Sequence, residues 1–87
     1  MSDVAFEDSP PLTERVNTYD EHHLATYLRL LDAADEGADW RDAARIVFGL
    51  DVAADPERAR RIHDSHLSRA RWMTEVGYRF LLEPRMQ

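Results

Sequence analysis

Only three glycines occur in 87 residues, at 37, 49 and 77, and each closes a stretch of helical character. Glycine there supplies the left-handed backbone that ends a helix at no steric cost. The stretch before Gly37 opens at Tyr19 or Asp20, with Asp20 as N-cap, and runs to Glu36. Leu24, Tyr27, Leu28, Leu31 and Ala34 recur at i, i+3, i+4, i+7 and i+10, one apolar stripe, and Leu30 lies off it. Leu30 is therefore expected to face solvent.

A second, shorter helix is expected over Trp40 to Phe48, capped by Asp39 and closed by Gly49, with Leu50 placed for the hydrophobic contact of a Schellman end. Trp40, Ala43, Ala44 and Val47 face inward and Ile46 outward. Asp55-Pro56-Glu57 is the strongest helix start in the chain: an N-cap aspartate, a proline whose missing N–H costs nothing at N1, and an acid in the first turn. The third helix then meets no breaker before Gly77. Ala59, Ile62, His66, Ala70 and Met73 make its core edge, widened by His63 and Leu67, while Trp72 and Val76 fall on another face. Residues 78–82 are read as a returning helical turn that covers those two. No segment alternates with period two, so the fold class is all-α: three helices and a short C-terminal turn.

Pro10-Pro11 blocks helix in the N-terminal part, where acids and apolar residues show no period. The expected organisation is a flexible acidic tail over 1–18, a helical domain over 19–83 and a short tail over 84–87. A chain of this size buries a thin core, and with no cysteine it has neither disulfides nor thiolate chemistry. No apolar run approaches the ~20 residues that span a bilayer. The N-terminus has no basic-then-apolar signal pattern, so a cytoplasmic monomer is expected.

Net charge is −6, unevenly spread: residues 1–39 carry −8 and residues 40–87 carry +2, every basic residue being arginine. Long-range repulsion between an acidic chain and DNA counts against an independent duplex binder, although the C-terminal half escapes it.

Four histidines raise the question of a metal. His22 and His23 are adjacent and point apart, whereas His63 and His66 share a face at i, i+3. A third ligand is not evident, and a hydrogen-bonded core role for His66 is the alternative. Nucleophile, phosphate loop and spaced catalytic carboxylates are absent. We expect no enzyme activity, no cofactor and no metal.

The arginines of the third helix (Arg58, Arg60, Arg61, Arg69, Arg71) admit two readings. They can contact phosphates from a recognition helix, or form a salt-bridged surface through the pairs Glu57–Arg61, Arg60–Asp64 and Arg71–Glu75. Asp55 and Glu57 stand where a recognition helix first meets bases, and like charge there opposes DNA. Leu30, Ile46 and Trp72, each off its core stripe, also admit two readings: anchors for a protein surface, or side chains covered by the helix packing, the tail or residues 78–82.

The strings Asp20–Ala33 and Gly37–Asp51, the latter with its Trp40-Arg41-x-x-Ala44-x-x-x-Phe48-Gly49 block, and His66–Tyr78 ahead of Leu81-Leu82 resemble a domain-of-unknown-function family of proteobacteria, family 2285. The resemblance spans residues 20–82. The short acidic form is similar to the family's QseM-type antiactivators. That likeness implies a helix-turn-helix-like trihelical fold that binds and disables transcriptional activators, a TraR-type LuxR-family quorum-sensing regulator and an excision activator, so repressing transfer of an integrative and conjugative element. The partner-binding surface expected on this reading comprises Leu30, Asp32, Asp35, Ile46, Arg61 and Trp72. The alternative is a DNA-binding transcriptional regulator that uses the third helix.

Overall fold

The computed structural model describes residues 5–77. Within them the chain forms four α-helices and no strand: α1 (Thr18–His22), α2 (Leu24–Asp35), α3 (Trp40–Phe48) and α4 (Pro56–Trp72), followed by a π-helical turn over Met73–Gly77. α4 is the central element and packs on both α2 and α3. The expected turn over 78–82 and the tail over 84–87 lie outside the described residues.

The first expected helix is divided at His23. The Tyr19 carbonyl oxygen faces the His23 ring at Nδ1 (2.8 Å), while the His23 N–H donates to the Asp20 carbonyl (3.1 Å). That i→i+3 turn interrupts the helix, with His23 at φ −116°, ψ 20°. The cap moves as well. Asn17 accepts the Asp20 N–H through its side chain (2.8 Å), and Asp20 accepts the Asn17 N–H in return (3.0 Å). This reciprocal box satisfies two orphan donors at once and turns Asp20 inward.

α2 faces the core along a different line from the apolar stripe. Leu30 is 1% exposed, against 61% for Leu28. The inward positions are Asp20, His23, Tyr27 and Leu30, spaced three, four and three residues apart as a helical face requires. Two of the four are polar, so apolar periodicity alone locks onto the neighbouring face. The expectation that Leu30 is exposed is thereby corrected.

α3 and α4 follow the sequence closely. Asp39 caps α3 by accepting the Arg41 N–H (2.8 Å), and Asp55 caps α4 by accepting that of Arg58 (3.1 Å). Gly49 takes φ +69°, and the Leu50 N–H reaches the Ala44 carbonyl (3.4 Å), the long bond of a Schellman end. Ala44, Val52 and Ala59 bring α3, its connection and α4 together, with Trp40 and Leu50 against them. Tyr27, Ala70 and Met73 form a second cluster, flanked by Val16, Leu31 and Trp72.

Residues 5–17 do not hang free as the expected tail. They lie as a strap across the helices: Pro10 is buried, Phe6 meets Phe48 edge-on at 5.0 Å, and the Ser65 hydroxyl donates to the Asp8 carbonyl (3.0 Å). The prolines exclude helix here but do not prevent an extended segment from packing.

Candidate functional site

The strap and α4 meet over two polar constructions, one buried and one exposed. In the buried one, Arg69 donates through Nε to both Asp20 oxygens (3.0 and 3.2 Å) and through Nη2 to Oδ2 (2.7 Å). Neither side chain is exposed by more than 3%. Tyr27 donates to Asp20 Oδ1 (2.8 Å), and the remaining Arg69 donors reach the Thr13 and Arg15 carbonyls (2.9 and 3.2 Å). The Trp72 ring covers the guanidinium, its centre 3.8 Å from the Arg69 carbon. Burial pushes the Asp20 carboxyl upward, but its bonds from Arg69, Asn17 and Tyr27 outweigh that and hold it below its ordinary value. Burial, together with the bond to a carboxylate, raises Tyr27 well beyond its usual range.

His66 sits beside this node, fully buried. Its Nδ1 donates to the Ile62 carbonyl (2.8 Å), which can only accept; Nε2 therefore accepts from the Tyr19 hydroxyl (2.6 Å). Tyr19 in turn accepts the Glu7 N–H (3.0 Å). Burial pushes the His66 imidazole below its ordinary pKa, against the opposing bond to Ile62. His63 turns elsewhere, to Asp64 (2.8 Å) and the Trp40 ring. The two histidines do not converge on one point. Among the described residues no group of three or more potential ligands is placed to hold a metal ion.

The exposed construction lies at the start of α4. Asp8 on the strap receives Arg58 through Nη2 (3.0 Å) and Nε (3.1 and 3.2 Å), and Arg61 through Nη2 (3.4 Å). The hydrogen bond from Arg58 leads in holding the Asp8 carboxyl below its ordinary value. One turn around the helix, Arg60 pairs with Asp64 (2.9 Å) and lies 4.8 Å from the centre of the Trp40 ring, which Arg41 approaches at 5.0 Å. Of the i, i+4 pairs expected on α4, Arg60–Asp64 is made, and Arg61 turns to Asp8.

Five arginines thus gather on α3 and the first two turns of α4: Arg41, Arg45, Arg58, Arg60 and Arg61. At the other end of α4 a shallow hollow is lined by Leu28, Asp32, Asp35, Arg71 and Glu75. Arg41, Arg45, Arg58, Arg60 and Arg61 each lie against a carboxylate, and Arg58 and Arg71, thirteen steps apart on α4, stand about 20 Å from one another along the helix.

The expected partner-binding residues scatter over this frame. Leu30 is core, Trp72 is half-buried against Arg69, and Ile46 is 77% exposed on α3. Asp32 and Asp35 line the hollow at the far end of α4, and Arg61 stands near its start. They do not form one surface. Apolar pattern singled out Leu30, but Asp8 and Arg69, which organise both constructions, carry no such signal. Their partners lie 49 to 53 residues away.

The described residues form a small all-α domain built on a central helix that carries arginines near both ends. A family model described as the DNA-binding domain of a T6SS transcription factor, the RovC DNA-binding domain, matches residues 2–83. The chain belongs to this family, which is not enzymatic. No curated protein matches the chain. Membership overturns the resemblance to QseM-type antiactivators. The partner that the family implies is DNA, and the TraR-type and excision activators fall away as partners with the antiactivator function. Two features favour a protein partner when the sequence is read alone: the overall negative charge, and Leu30, which the fold buries and makes available to no partner.

Among the described residues no helix is long and apolar enough to cross a membrane.

Proposed function

We propose that this chain binds duplex DNA as a domain of a transcriptional regulator, with α3, the connection over 49–55 and α4 acting as a helix-turn-helix-like unit. The observation that carries this reading is the family match over residues 2–83. On this reading Arg41, Arg45, Arg58, Arg60 and Arg61 turn toward the phosphates, exchanging the carboxylates they pair with, and Asp32 and Asp35 lie away from them. Asp55 is occupied as a cap, accepting the Arg58 N–H. Its charge remains, offset in part by the positive end of the helix dipole. Contacts to phosphate carry affinity, whereas base reading requires side chains along the outer face of α4, which presents Asp64 and Ser68.

A gel-shift titration on the duplex upstream of the chain's own gene tests this. Binding is expected at low salt and should weaken steeply as salt rises, with the log–log slope falling by about one for each phosphate-contacting arginine replaced by alanine. Absence of any shift at about 50 mM salt would overturn the proposal.

A further inference from the structure

The Arg58–Arg61 pair is already folded around an anion. Asp8 offers its carboxylate to both guanidinium groups, 3.0 to 3.4 Å away, at a position where all three side chains remain about half exposed. The Asp8 backbone is tethered separately, its carbonyl accepting from Ser65 (3.0 Å), so the carboxylate can swing out without detaching the strap. A phosphodiester presents the same charge and acceptor geometry to paired guanidinium groups.

Resting on the DNA-binding reading above, we propose that Arg58 and Arg61 form a clamp for one backbone phosphate, and that Asp8 occupies this clamp in the free protein as a built-in competitor. DNA binding then exchanges a carboxylate for a phosphate. Arg60 is not restrained in this way from the strap; its carboxylate partner, Asp64, stands on α4 itself. The clamp thus makes the affinity of the domain depend on a residue outside its helices.

The test uses fluorescence anisotropy of the full chain on a labelled upstream duplex. Asp8→Asn is expected to tighten binding about two- to fivefold at low salt, the range that an exposed ion pair commands. Glu7→Gln makes the same change in net charge one residue away and is expected to leave affinity nearly unchanged. In an Arg58→Ala/Arg61→Ala background, which itself binds more weakly with a shallower salt slope, Asp8→Asn should give no gain. Asp8→Ser, with a short polar side chain, is the second variant should the first melt at lower temperature.

Wild-type binding with no gain from either Asp8 variant would overturn the clamp while leaving the DNA-binding reading intact. An equal gain from Glu7→Gln, or a gain that persists without the arginines, would overturn it too. If neither wild type nor Asp8→Asn binds DNA, the underlying reading fails and takes the clamp with it.

Discussion

Asp20 and Arg69 stand 49 residues apart in the chain and hold strap, α1 and α4 to one another. Removing one member of a buried pair strands the other, which typically costs about 3–5 kcal/mol. Arg69→Met is therefore expected to lower the urea midpoint severely, and Asp20→Leu/Arg69→Met less than the sum of its parts, both read from equilibrium unfolding. Leu30 and Ile46 make a simpler contrast. Leu30→Ala should cost about 2–5 kcal/mol as a core truncation, whereas Ile46→Ser, on an exposed face, should change stability by about 0.5 kcal/mol or less. Had Leu30 been a surface anchor, the two would cost alike. His66 adds a pH dependence. The unfolded imidazole gains its proton near 6.5, and the folded one only at lower pH. Between those values the unfolded state binds more protons, so stability falls as pH drops through 6.5 and levels off below the folded pKa. Urea melts across that range should show the slope, and His66→Gln should remove its contribution. Asp20 acts lower: its stabilisation is complete above 3.8 and is lost as pH falls through its depressed folded value.

At the scale of elements, the stops and starts of the helices are local chemistry. Gly49 holds φ +69° with open space where a Cβ would stand, so a side chain there suffers backbone strain but no clash. Gly49→Ala is expected to cost about 1–2 kcal/mol, measured as a change in unfolding free energy. The division between α1 and α2 has another origin. It depends on the His23 ring occupying the Tyr19 carbonyl and lying 2.9 Å from the Ala5 carbonyl on the strap. No propensity scale contains that information, since Asp20 to Glu36 has neither glycine nor proline. The strap is likewise a tertiary element, ordered by what it touches.

For the molecule as a whole, the net charge of −6 is spread over carboxylates near both ends of α4, Asp8, Asp55 and Glu57 at its start and Asp32, Asp35 and Glu75 at the other. Asp32 and Asp35 share their hollow with Arg71, which stands about 20 Å along α4 from Arg58, beyond the screening length of about 8 Å at physiological salt. Neutralising both as asparagine should therefore alter DNA affinity by less than about twofold near 150 mM salt. The anisotropy titration that reads Asp8 also reads this pair. Asp8, in direct contact with Arg58, should have the larger effect despite being a single charge.

The chain's local chemistry determined its helical class, the span of α3, the start of α4 and the exposure of Ile46. Each depends on caps, glycines and periodicity within one or two turns. Much of the inward face of α4, from Ala59 to Ala70, was legible for the same reason. Tertiary structure alone decided that Leu30 is core, that the first helix breaks at His23, that residues 5–17 form a strap, and that Asp8 meets Arg58 and Arg61. In each case polar residues distant in sequence satisfy one another inside or across the fold. Periodic patterns register where apolar side chains recur; they hold no record of which carboxylate a buried or neighbouring arginine will find.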